Sequence, residues 1–336
     1  MKRLSLFLVL ILLLTLFAGC RQDSPATTEA SATTEQTAAS TAQTAAPSPT
    51  DEASVHPMLF HVTGQNGEEG YLFGTIHAGD ARIQVAMNKL TSYVDSCDAL
   101  AVEFDLVAYE EDYAAQMQAM EQFVLTDGTT IEDHMPKELY DKAVALLKQA
   151  NLQPGLMKGY NLAMWSQLVE QGAMEVYTDF DPEAGMDRAL IRHCYEKKIE
   201  VRDVESAELQ YNLLAGFSDE LNLLILKDTL ERLDAYGESL KALFDAWASG
   251  DYARIVAALS AEEEVDEATE EERALMEDYY DKMLTQRNLG MRDKAVEWLK
   301  AGDKVFFAVG AAHLIEEDGL VALLRAEGYT VEQVDY

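Results

Sequence analysis

Two short apolar runs, one near each end of the chain, finish in the same way and constrain the fold more than any other feature. Tyr71-Leu72-Phe73-Gly74-Thr75-Ile76-His77 and Val305-Phe306-Phe307-Ala308-Val309-Gly310-Ala311-Ala312-His313 each read as a buried strand running into G-x-x-H and then into a helix. Each helix leads to a further apolar run holding a glutamate. These are Ala101-Val102-Glu103-Phe104-Asp105, and Tyr329-Thr330-Val331-Glu332-Gln333-Val334. Buried strands alternating with helices favour a parallel sheet, whose ligands gather beyond the carboxyl ends of its strands. Two histidines carried to that edge by two strands can share one site.

The remaining periodicity completes an α/β plan: a central mixed, largely parallel sheet from both ends of the chain with a large helical insertion in the middle. Met58 to Val62 and Tyr71 to Ile76 flank the turn dipeptide Asn66-Gly67 and read as a hairpin. Ile83 to Val94 is helical in pattern, and Ala99 to Phe104 is a buried strand. Helical spacing runs from Tyr109 to Ala150 with a break at Asp127-Gly128, and resumes over Tyr160–Gly172 and Met186–Lys197. Ile199 to Val204 reads as a third core strand, and helices dominate from Ala207 to Lys300. Lys304–Val309, the helix Leu320–Ala326 closed by Gly328, and the strand Tyr329–Val334 end the chain. The two strand–G-x-x-H–helix–strand units hint at an internal duplication.

Residues 1–20 carry an export signal: basic Met1-Lys2-Arg3, an apolar stretch from Leu4 to Phe17, then small residues before Cys20. The ending Leu16-Phe17-Ala18-Gly19-Cys20 is similar to a bacterial lipoprotein signal, in which Cys20 is lipidated and anchors the chain outside the cytoplasm. An ordinary secretory signal or an uncleaved anchor is the alternative, and both keep that location. Residues 21–55, rich in Thr, Ala and Ser, have too few large apolar side chains to offset chain entropy and read as a disordered tether. Residues 56–336, roughly 280 in all, suffice for one large α/β domain. The net charge of −34 argues against nucleic acid or anionic lipid as a partner. Cys97 and Cys194 are too few for a disulfide scaffold; one bridge or two buried thiols remain open, the second being the simpler. The acidic stretch from Glu262 to Glu272 lacks the Gly and alternating Asp of a calcium loop and reads as a solvated face.

The chemistry concentrates on the motif residues. Gly74 and Gly310, directly after buried strands, let the backbone turn sharply beside a ligand. Histidine is a frequent metal ligand and general base, so His77 and His313 are site candidates, against the alternative of hydrogen-bonded structural residues. Glu103 follows an apolar run, and its carboxylate must be paired, bind a metal or leave the sheet edge. Arg287 either clamps a substrate carboxylate or oxyanion, or forms a structural ion pair with Glu205 or Asp187. Glu205 is a second candidate carboxylate or a helix N-terminal residue, and Asp105 a helix cap. Trp165, Trp247 and Trp298 sit at apolar helix positions and read as core.

Gly74-Thr75-Ile76-His77, Glu103 and Gly310-Ala311-Ala312-His313-Leu314 together resemble the signature of the TraB/PrgY/GumN family, which includes the Tiki proteases. Gly185-Met186-Asp187, Val204-Glu205-Ser206, Arg287-Asn288 and the run Gly319 to Tyr329 extend the resemblance over residues 57–336. Two departures stand out. Ala312 occupies a place where relatives often carry glycine, and Tyr160-Asn161 falls where they often carry Pro-Trp. The resemblance implies a fold related to erythromycin esterases and haem-binding ChaN-like proteins, with a site of two histidines and a glutamate. It leads to the expectation of a lipid-anchored, metal-dependent hydrolase acting on peptide bonds. A divalent ion of the Mn, Co or Zn class would be held by His77, His313 and Glu103, with Glu103 as ligand or base and Arg287 and Asn288 polarising a substrate carbonyl. A metal-free version keeps His77 as base, oriented by Glu103. The contrasting expectation is a non-catalytic lipoprotein that binds haem, a metal or a signalling peptide.

Overall fold

The computed structural model describes residues 54–260 and 269–336. The export signal, Cys20, nearly all of the tether and much of the acidic stretch lie outside the described residues. Six strands form one sheet: β1 (Leu59–Thr63), β2 (Glu69–Thr75), β3 (Ala99–Val102), β4 (Glu200–Asp203), β5 (Val305–Gly310) and β6 (Thr330–Gln333), in the order β4-β3-β5-β2-β1-β6. β2, β5, β3 and β4 run parallel, and β1 is antiparallel to both β2 and β6. The sheet is thus mixed and largely parallel, and its strands come from both ends of the chain, as the patterning implied.

Local chemistry explains the elements. Gly67 supplies the positive φ (93°) of the β1–β2 turn, where a side chain would be strained. The central strand β3, Ala-Leu-Ala-Val, is at most 1% exposed because both of its faces are covered. On one face Tyr71, Phe73 and Phe306 pack toward Tyr93 of the helix Arg82–Val94. On the other, Leu72, Val305 and Phe307 meet Ala295, Trp298 and Leu299 of the helix Gln286–Ala301, and Leu324 of the helix Leu320–Ala326. Adjacent residues of the strands point to opposite faces, so the two helical layers bury both registers.

The helical insertion has Leu162–Tyr177, Asp219–Glu231 and Leu233–Ser249 packed on one another at its centre. Trp247, 1% exposed, fastens it by donating its Nε1–H to the carbonyl of Gly74 at 2.9 Å. Trp165 is also fully buried, in agreement with its apolar pattern. Cys97 and Cys194 are buried free thiols, and burial pushes both thiol pKa values up, to about 11 and about 12.

Two expectations change. β4 is an edge strand rather than a core one. Its Glu200, Arg202 and Asp203 keep solvent contact, the charged character that shields an unpaired edge. The two G-x-x-H units are also not equivalent. β3 lies beside β5, whereas β6 crosses to the far edge and pairs with β1. Glu332 therefore stands exposed opposite His61 and takes no part in the site.

Candidate functional site

The two histidines converge. β2 and β5 are adjacent and parallel, with Thr75 in register with Gly310, so both G-x-x-H turns leave the sheet side by side. Gly74 permits this closeness: a Cβ there would lie 3.1 Å from both Cα and Cβ of Ala311. After Gly310 the chain enters a short 3-10 turn, Ala311–Leu314, which brings His313 back over the sheet edge. Ala312 adopts no positive φ, so glycine is not required there. A Cβ on Gly310 would lie 3.3 Å from Oε1 of Glu103, 3.6 Å from Cδ2 of His313 and 3.7 Å from Nε2 of His77. Gly310 is the point around which the three side chains meet, and its missing side chain leaves them room.

Each group is held by neighbours from distant parts of the chain. Gly185, the N-cap of the helix Met186–Lys197, sits so close to His77 that a Cβ would lie 2.4 Å from its carbonyl oxygen. Met186 donates its backbone N–H to Ile76 at 2.8 Å. This docking delivers Asp187, whose Oδ2 lies 2.8 Å from Nδ1 of His77. Burial opposes a charge on His77, but Asp187, with help from Glu103, outweighs it and raises the imidazole pKa to about 9. At neutral pH His77 is protonated, and its Nε2–H faces Gly310.

His313 is the opposite case. It is 1% exposed, and its Nδ1 lies 2.6 Å from Oδ1 of Asn288, which also donates Nδ2–H to the carbonyl of Asp318 at 2.9 Å. An amide oxygen only accepts, so Nδ1 carries the proton and Nε2 keeps its lone pair. Burial and the Arg287 cation push the His313 pKa down to about 3. Its Nε2 stands 3.8 Å from Oε1 of Glu103.

Glu103 is the hub. Its Oε1 accepts the backbone N–H of Gly310 at 2.9 Å, and its Oε2 accepts Arg287 Nη2–H at 2.7 Å and Gln210 Nε2–H at 2.9 Å. Burial favours its neutral form, but Arg287, His77 and the Gly310 N–H hold its pKa well below the usual carboxylate range. Arg287 forks onto Glu205, Nε at 3.0 Å and Nη2 at 2.7 Å, and donates Nη1–H to the carbonyl of Met283. Met283 lies in a π-helical turn, Asp281–Thr285, that leads into the helix bearing Arg287 and Asn288. Glu205 is thus a second carboxylate of the cluster, while Asp187 serves His77 rather than Arg287. Asp105 caps a helix through Ala108 N–H, as its position implied.

This geometry overturns the metal-dependent hydrolase expected from the sequence. Among the described residues no group of three or more His, Cys, Asp or Glu side chains is placed to hold a metal ion. A guanidinium already neutralises Glu103, and Nδ1 of each imidazole is taken by Asp187 or Asn288. The divalent cofactor and the peptidase role built on it are therefore withdrawn. The metal-free variant changes in one respect: Asp187, and not Glu103, orients His77. Asn288 is occupied in orienting His313, not in polarising a carbonyl.

Two participants were absent from the sequence reading. Gln210 bridges Glu103 and Glu205, and Thr75 is 2% exposed at the end of β2. Thr75 lies inside the first motif, which was a usable signal; Gln210 carried none.

A largely parallel sheet with paired G-x-x-H turns defines an α/β protein with a buried Arg–Glu–His cluster at the sheet edge. The chain belongs to the TraB/PrgY/gumN family, whose model matches residues 58–333. No curated protein and no solved structure matches it.

Proposed function

We propose that this protein is a binding module that captures a short peptide at the carboxyl edge of its sheet without turning it over. The observation that carries the reading is the pairing of opposite hydrogen-bonding characters around Gly310. Protonated His77 offers an Nε2–H, and neutral His313 offers an Nε2 lone pair. A peptide unit presents one carbonyl acceptor and one N–H donor, which such a pair complements. The rest of the cluster is internally neutralised and hydrogen-bonded, an arrangement that rigidifies a site rather than activating a nucleophile. Kinship in fold with the haem-binding ChaN-like proteins is part of the same proposal and rests on the sequence resemblance.

The protein acts at the extracytoplasmic face of the cell membrane, held by lipid on Cys20; the motif ending at Cys20 supports this. Loss of labelled lipid in Cys20→Ala checks it, and unchanged labelling refutes it. Binding is tested by equilibrium dialysis of the full chain against a random heptapeptide pool, read by mass spectrometry. A retained subset is expected, lost in Gly310→Val, which puts a side chain among Glu103, His313 and His77, with circular dichroism confirming the fold. A pool that passes unretained defeats the proposal.

A further inference from the structure

Buried polar atoms without partners are rare and costly, so those beside a binding site indicate what the ligand supplies. Thr75 Oγ1 and Gln210 Oε1 are both buried and have no hydrogen-bond partner. Residues in register on adjacent parallel strands point to the same face of the sheet. Thr75 is in register with Gly310, so its hydroxyl is on the side where a Gly310 Cβ would meet Glu103 and His77. Gln210 gives its Nε2–H groups to Glu103 and Glu205, so its unpartnered Oε1 belongs to the same amide against the same cluster.

The other unsatisfied capacity at this place is also for accepting. His313 Nε2 and Glu103 Oε1 stand 3.8 Å apart, two lone-pair atoms facing one another with no proton between them.

We infer that the subsite over Gly310 takes a primary ammonium, the free amino terminus of the captured peptide, on Thr75 Oγ1, Glu103 Oε1 and His313 Nε2. The inference rests on the peptide-binding reading and deepens it. An ammonium has three N–H donors, one for each acceptor. His77, 3.7 Å from the Gly310 Cβ position on its Nε2 side, then meets the carbonyl of the first residue. An N-acetylated terminus offers a single N–H and no charge, and adds an acyl group over the glycine.

The test presents the full chain with one random heptapeptide pool in two forms, free-amino and N-acetylated, both amidated at the carboxyl end. Retention of the free-amino form is expected to exceed that of the acetylated form by roughly tenfold or more, the worth of one charge-assisted hydrogen bond. In Thr75→Val that preference shrinks while the thermal midpoint holds or rises, because an unpartnered buried hydroxyl is removed. Glu103→Gln, assayed only if its folded spectrum is retained, also loses the preference. Equal retention of the two forms overturns the amino-terminus assignment and leaves peptide binding standing. Retention of neither overturns both, and a preference unchanged in Thr75→Val removes the assignment of its hydroxyl.

Discussion

Nη2 of Arg287 lies 2.7 Å from Oε2 of Glu103 with both side chains nearly excluded from water, although the two residues come from opposite halves of the chain. This contact decides the character of the site. The cation beside Glu103 is part of the protein, so the carboxylate is a fixed hydrogen-bond acceptor rather than a vacant ligand.

Removing the guanidinium leaves Glu103 and Glu205 buried side by side with only His77 nearby to offset them. Arg287→Met is expected to destabilise the fold by about 3–5 kcal/mol, the usual result of breaking a buried pair from one side. Replacing Glu205 by Gln should cost less, because Arg287 keeps Glu103. Urea unfolding of the variants measures both.

The His77–Asp187 pair sets a pH dependence. The folded pKa of His77 is about 9 against an ordinary 6.5, so the folded state holds its proton more tightly. Its stabilisation is complete below about pH 6.5 and is lost as the pH rises through about 9. Asp187→Asn should flatten that part of the stability–pH curve. An unchanged slope between pH 6.5 and 9 would refute the pairing.

Glu170 in the helical insertion shifts in the same direction for the opposite reason, since burial favours its neutral form. It is buried where Leu162–Tyr177 meets its neighbours, hydrogen-bonded by Thr229 and Tyr236, and burial raises its pKa to about 7. The folded state prefers the proton, so stability falls as the pH climbs from about 4.5 through 7. Glu170→Gln should raise the thermal midpoint at pH 8, corresponding to about 1–3 kcal/mol, and change it little at pH 4.

Because no triad of ligating side chains is assembled among the described residues, zinc, manganese or cobalt at micromolar concentration should not shift the thermal midpoint. A chelator should be equally without effect. A stoichiometric, saturable shift abolished in His313→Ala would contradict this.

Much of the fold was legible because its signals are local. Met186–Lys197 and Leu320–Ala326 form helices over the spans their apolar spacing marked, and the Asn66-Gly67 hairpin needs only its own turn. Within the site, His77 and His313 were legible as the ends of buried strands, and Glu103 as a carboxylate after an apolar run. Strand order was not legible: β4 takes one edge and β6 crosses to the other, because which strands become neighbours depends on how the helices cover the two faces.

The sequence alone determined that two histidines leave adjacent kinds of turn at the rim of a buried sheet, since alternation and a glycine after a strand act over a few residues. Only the tertiary structure decided their chemistry. Asp187 charges one imidazole, Asn288 and burial keep the other neutral, and Arg287 occupies Glu103. Those partners lie between 25 and 184 residues away along the chain, and protonation is set by which charges burial brings within reach rather than by neighbours in sequence.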